Sequence, residues 1–262
     1  MTSLRDALAL AGRDWIVPQW PVGNRVAAFV TTRNGGVSAG RYASLNLSAA
    51  SAARAEGDRK ESVAENRARV RALLPAEPVW LHQVHGTSVH LADEAQLVVP
   101  PMADAAATRK VNVVLTVQSA DCLPVLLADR DGTAIAIAHA GWRGLAAGVV
   151  ENAVRALAIA PERVVAWLGP AIGPDAFEVG ADVRDAFVAS DAGAAAAFRP
   201  KAAGKWWADL HALARQHLAR TGVHDVHGDA ACTYAEPARF FSYRRDGETG
   251  RMAALLWLRH ST

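Results

Sequence analysis

Residues Asp121–Val150 read DCLPVLLADRDGTAIAIAHAGWRGLAAGVV. Two apolar runs, Leu123–Asp129 and Gly132–Ala140, flank the turn signal Asp129-Arg130-Asp131-Gly132, so the segment is expected to fold as an antiparallel hairpin. The second run ends on His139 and turns through Gly141 and Gly144, with Trp142 and Arg143 between them. It then continues as a helix expected over Leu145–Ala158. A strand ending on a histidine, followed by a glycine turn and a helix, suits a ligand at the strand end and an anion cradle at the helix start.

Outward from this hairpin, strands outnumber helices and tight turns recur. Mixed sheets with covering helices are therefore expected, rather than a doubly wound parallel sheet. Phe29–Ser48 reads as a strand, a glycine turn and a second extended piece. Gly57–Leu74 reads as a helix, with Asp58 a candidate N-cap and Val63, Val70, Leu73 and Leu74 its apolar stripe. Val79–Ala92 looks extended with a break at Gly86. Val111–Ser119 is a strand, and Arg163–Gly173 is a strand entering a Gly-Pro turn. Lys205–Thr221 fits an amphipathic helix with Leu210, Leu213, Ala214 and Leu218 aligned. Phe240–Leu258 reads as two extended runs about an Asp246-Gly247 turn.

The 262 residues are 51% apolar and 21% charged with a formal net charge of +2, which supports a sizeable core and excludes disorder. No linker divides them, so residues 1–262 are expected to form one catalytic domain. The scattered, balanced charge gives no nucleic-acid footprint. No run approaches the ~18 apolar residues of a membrane span, and the N-terminal stretch is no signal peptide. The two cysteines, Cys122 and Cys232, are too few for a disulfide framework and point to a reducing cytoplasm. No feature identifies a protein partner.

With a hairpin loop of two or four residues, Ala128 opposes Thr133 or Asp129 opposes Gly132. Either way Cys122 falls opposite His139, with Cβ atoms about 5 Å apart. A thiol and an imidazole so placed suit a metal site or a Cys-His nucleophile pair. A third ligand is available in LHQVHGTSVH. His82 and His85 are expected on opposite faces of a strand, so at most one joins the Cys122–His139 face. His85, against Gly86, has room. One Cys and two His leave a tetrahedral position open, the pattern of a catalytic zinc.

At these residues the sequence resembles a known family. TTRNGGVS, ASLNLS, ENR, HQVHG, ADCLPVLL, HAGWRG, GPAIG…FEVG, CTY and FFSYRRDG…TGR occur in that order, from about Phe29 to Leu258. Together they are similar to the purine nucleoside phosphorylase family once described as multicopper polyphenol oxidases or laccase-domain proteins, which also takes in the bacterial peptidoglycan editing factor. The resemblance implies a zinc site of His85, Cys122 and His139. It also implies a cytoplasmic enzyme that splits purine nucleosides with phosphate, with adenosine deamination and methylthioadenosine phosphorolysis credited to family members. The implied fold is α+β, a single domain with two mixed sheets packed between helices. The loop Ser48–Glu61 departs from the family pattern, although Gly57-Asp58 are kept.

A copper oxidase reading fits poorly. Four-copper oxidases gather histidines largely in H-x-H pairs, and this chain has nine histidines with no H-x-H. Copper remains an adventitious substitute at an N/S site. The nucleotide-deaminase motif is absent too, and deamination would need a carboxylate to move a proton, with Asp121 and Glu178 as candidates. A metal-free Cys-His hydrolase or deamidase is the rival chemistry. Phosphorolysis needs cationic and N–H donors for phosphate, and Arg33, Arg143 and Arg244 are the candidates. Trp142 or Phe241 would stack on a purine.

Overall fold

The computed structural model describes residues 4–93, 99–228 and 231–260. Its strands are β1 (Val26–Val30), β2 (Pro78–Val79), β3 (Val89–Leu91), β4 (Ala105–Thr108), β5 (Val114–Ser119), β6 (Leu123–Asp129), β7 (Ile135–Ala140), β8 (Val164–Leu168), β9 (Glu178–Gly180), β10 (Phe198–Ala202), β11 (Lys205–Ala208), β12 (Asp225–Gly228) and β13 (Met252–Leu258). Its α-helices are α1 (Leu4–Leu10), α2 (Ala49–Ala52), α3 (Lys60–Arg71), α4 (Trp142–Ala147), α5 (Val149–Leu157), α6 (Ala181–Val188), α7 (Leu210–Arg220) and α8 (Tyr243–Asp246).

Two mixed sheets stack. One runs β1-β13-β5-β2 and the other β12-β8-β6-β7-β4-β3. Alternation along each strand decides which side chains face inward. Val30, Leu115, Val117, Ala254 and Leu256 of the first sheet meet Leu126, Ile135, Ile137 and Trp167 of the second. The intervening residues of the second sheet, Val125, Leu127, Ala136 and Ala138, pack on Leu145, Val149, Val150 and Leu213 of α4, α5 and α7. Those of the first, Phe29, Val114, Leu255 and Trp257, pack on Leu8 of α1 and Val70 of α3. Burial on both faces explains why β6 and β7 read as unbroken apolar runs. Each fully buried Leu or Ile contributes about 1.5–3 kcal/mol. The α+β layering of helix, sheet, sheet and helix is the expected one; the small antiparallel sheet β10-β11-β9 is an addition.

Several local expectations need correction. In the β6–β7 hairpin Ala128 pairs with Ile135 and Pro124 with His139. The four-residue loop is Arg130–Thr133, not Asp129–Gly132: the Asp129 carboxylate accepts from the Thr133 N–H and hydroxyl and so stands as the last strand residue. The partner strand is thereby displaced by two residues. Cys122 faces Gly141 and is a diagonal neighbour of His139, but an even slip leaves both on the expected face. The helix after His139 starts earlier than expected and breaks at Gly148, whose φ is +98°. Lys205–Ala208 is a strand, because Asp209 accepts from the Ala212 N–H and starts α7 there. Asp58 does not cap α3; it takes Ser38 and Asn46 side chains. In the tail, the first extended run gives way to α8, capped by Ser242.

Candidate metal centre

The site lies where β7 ends, β6 begins and β4 begins. Antiparallel pairing of β4 with β7 sets Asp104 opposite His139, whose N–H donates to the Asp104 carbonyl at 2.7 Å. The buried Asp104 carboxylate gathers four donors. Oδ1 accepts from His139 Nδ1 at 2.9 Å and from the His85 N–H at 2.9 Å. Oδ2 accepts from the N–H groups of Val84 at 3.0 Å and Gly86 at 2.7 Å. Burial opposes its charge, yet these bonds outweigh burial and hold its pKa below the ordinary carboxylate value.

One carboxylate therefore orients two candidate ligands. It fixes the His139 ring so that Nε2 is the free nitrogen, and it ties down the bend at His85. That bend holds His85 at φ +60°, so it is a left-handed kink and not the continuous strand expected across His82. His82 makes an isolated bridge with Met102 and stands outside the cluster. The ligand atoms of His85, Cys122 and His139 all lie within 4.8 Å of one another. The two imidazole centroids are 4.8 Å apart at 70°. Burial lowers the pKa of His139, but Cys122 and Asp104 more than offset it and push it up to about 9. Burial and the neighbouring His139 lower that of His85.

The glycines of the opening stretch serve this cluster. A Cβ on Gly141 would sit 2.6 Å from His85 Nδ1 and 3.0 Å from Cys122 Sγ. A Cβ on Gly144 would lie 2.9 Å from the Gly86 carbonyl. Both glycines thus admit the His85–Gly86 bend against α4. Two imidazoles and one thiol converge on a space kept clear of a Cβ, and this donor set fits a metal ion of zinc type. The group of three can hold a metal.

The cluster lines a cavity of about 900 Å³. Of the three sequence-derived arginines, Arg143 and Arg244 line it and Arg33 does not. Arg143 is exposed and stacks on Trp142, 4.3 Å from the ring centroid. Arg244 donates to the Glu178 carbonyl at 2.6 Å. Arg33 is engaged elsewhere: it donates to the carbonyls of Ala43 and Pro237 and packs over Phe241. Phe241 is core; Trp80, Trp142, Phe177 and Tyr243 are the aromatic walls. Asp121 borders the cavity at φ +89°, with its carboxylate committed to Thr233, Ser242 and the Arg244 N–H. Glu178 pairs with Lys201 and does not line the cavity.

Sequence reasoning missed Asp104, Arg67 and Arg251. The arginines stand in ENR and TGR, motifs that carried the resemblance without being assigned a role. Asp104 has no local signal, since its meaning comes from a strand pairing with a residue far along the chain.

Fold and site together define an α+β protein with a candidate His-Cys-His metal centre in an arginine-lined cavity. The chain belongs to the family described as multi-copper polyphenol oxidoreductase laccase, whose profile matches residues 27–259. It is 50% identical over 245 residues to a purine nucleoside phosphorylase of Pseudomonas aeruginosa, covering 93% of this chain and 98% of that one. It is 52% identical, with the same coverage, to the purine nucleoside phosphorylase YfiH of Escherichia coli. The crystal structure of a Neisseria meningitidis protein superposes with a TM-score of 0.90 at 49% identity, over 95% of this chain and all of that one. The resemblance carried by the nine motifs is borne out. Among the described residues no helix is long and apolar enough to cross a membrane.

Proposed function

We propose that the chain is a zinc-dependent purine nucleoside phosphorylase, acting as one catalytic unit in the cytoplasm on adenosine, inosine or guanosine. The observation that carries this reading is a His-Cys-His group opening into a cavity lined by arginines, in a chain whose relatives are named for that activity. His85, Cys122 and His139 would hold the ion. When bound, zinc supplies Lewis-acid catalysis. Trp142 and Phe177 offer apolar surface to a purine. The cavity arginines, Arg143 and Arg244 among them, neutralise and orient phosphate. In the reaction the bond from C1′ to the base nitrogen breaks while a phosphate oxygen bonds C1′ from the opposite face, giving ribose 1-phosphate and free base. Adenosine deamination and methylthioadenosine phosphorolysis are side activities of the same site on this reading, and copper is an adventitious substitute at the same donors.

The Cys122 thiol and the His139 ring, with ligand atoms within 4.8 Å of one another, also suit a metal-free thiol mechanism. Metal analysis and turnover separate the two. About one zinc per chain is expected, with inosine cleavage that requires phosphate. Cys122→Ser should lose metal and activity together, and His82→Ala should keep its metal. A metal-free active enzyme, or release of free ribose without phosphate, would overturn the proposal.

A further inference from the structure

Five arginines line the cavity, Arg54, Arg67, Arg143, Arg244 and Arg251, against two carboxylates. Both carboxylates are already engaged: Glu248 pairs with Arg54 and Arg41, and Asp121 takes three internal donors. Arg67 and Arg251 differ from the rest. Both are partly buried, and neither forms an ion pair among the described residues.

Backbone carbonyls hold each guanidinium in place, and among the described residues no further hydrogen bond takes the remaining donors. Arg67 Nε donates to the Leu47 carbonyl at 2.9 Å, and the guanidinium lies 3.9 Å from the centroid of the Trp80 ring. Arg251 Nη1 donates to the carbonyls of Thr249 and Gly250. The two are neighbours, because the same residue stitches them together: the Leu47 N–H donates to the Arg251 carbonyl at 3.2 Å. Withdrawal from water lowers both pKa values, that of Arg67 to about 10, and Arg54 adds repulsion at Arg251. Arg67 and Arg251 line the same cavity as His85, Cys122 and His139, so this corner shares its space with the candidate metal centre. A cation withdrawn from water without a counter-charge is costly unless a ligand supplies one. Planar, pre-oriented guanidinium groups with open N–H donors match a tetrahedral oxyanion.

We propose that Arg67 and Arg251, on either side of Leu47, form the seat for a phosphate dianion beside the candidate metal centre. As the seat of the attacking co-substrate it rests on the phosphorylase reading; as an anion site it stands without it. The dianion is either inorganic phosphate or the ester of a nucleoside 5′-monophosphate.

Isothermal titration of the metal-loaded protein with inorganic phosphate, and separately with adenosine 5′-monophosphate, tests this. The variants are Arg67→Gln, Arg251→Gln, Arg251→Lys and, as a charge control on the surface of α5, Arg155→Gln. Unfolding curves confirm that each is folded. Each glutamine variant should weaken phosphate binding about ten- to a hundred-fold. Arg251→Lys should recover part of the loss, and Arg155→Gln should bind as the parent does. Folded glutamine variants with parental affinity for both ligands would overturn the proposal. Arginine-dependent binding of inorganic phosphate without phosphate-dependent turnover would uphold the seat and refute phosphorolysis. Arginine-dependent binding of the monophosphate alone would uphold the seat and assign it to a nucleotide.

Discussion

Asp104→Asn removes one charge and almost no volume, yet it should damage both stability and metal binding. In the parent each carboxylate oxygen accepts two N–H donors: Oδ1 from His85 and His139 Nδ1, Oδ2 from Val84 and Gly86. An amide offers one oxygen and one NH2, so two donors must face another donor whichever way it turns. With the NH2 toward His139, the ring must take the proton onto Nε2, the nitrogen meant for the metal. With the NH2 toward Val84 and Gly86, the bend that carries His85 loosens. Each unmet buried donor costs about 1–3 kcal/mol, so a loss of about 2–5 kcal/mol is expected after relaxation. Disturbing such an outer hydrogen-bond partner lowers metal affinity about ten- to a hundred-fold. Urea unfolding of the metal-free protein reads the first quantity, and competition with a chromogenic zinc chelator reads the second. Unfolding within about 0.5 kcal/mol of the parent together with unchanged zinc affinity would refute the carboxylate's double role.

Gly141→Ala should do the reverse, sparing the fold and losing the metal. The backbone φ of −68° accepts alanine, and the new methyl displaces the exposed His85 ring, so chelator competition should show at least about ten-fold weaker zinc with little change in melting temperature. Glu151→Gln tests a structural network: Glu151 accepts from His217 at 2.7 Å and from Arg220 at 2.8 Å. Burial opposes its ionisation, but those bonds depress its pKa below 4.5. A depressed carboxylate stabilises above its unfolded pKa and loses that contribution as pH falls through the folded value. The variant should be about 2–3 kcal/mol less stable at pH 7, with the gap to the parent closing below about pH 4 in urea titrations; a gap independent of pH would contradict this.

What was legible in the sequence was whatever depended on local period and on pairing between neighbouring strands. β6 and β7 announce themselves as apolar runs, and strand parity placed Cys122 and His139 on one face despite the error in loop position. The sequence alone could not show that Lys205–Ala208 would be a strand. Trp206 and Trp207 suit either period, and the choice is made by pairing with β9 and β10. His85 was chosen for room beside Gly86; the structure gathers it with Cys122 and His139, and a left-handed kink, not strand alternation, sets it apart from His82. Arg33 looked as suited to phosphate as Arg143, and only the tertiary fold shows its donors closing a loop against Pro237.

The candidate metal ligands and the two arginines belong to different layers. His139 and Cys122 come from the six-stranded sheet, whereas Arg251 leads into β13 of the four-stranded sheet and Arg67 rides on α3, which packs against that sheet's outer face. The gap between the two halves of the cavity is therefore gauged by the side chains wedged between the sheets, Leu126 and Ile137 against Leu256. Packing at native density transmits a change of one methylene there as a shift of one sheet against the other. Residues that line no part of the cavity thus share control of how far the His-Cys-His group and the two arginines stand apart, and the sandwich interior serves as a spacer for the cavity at its rim.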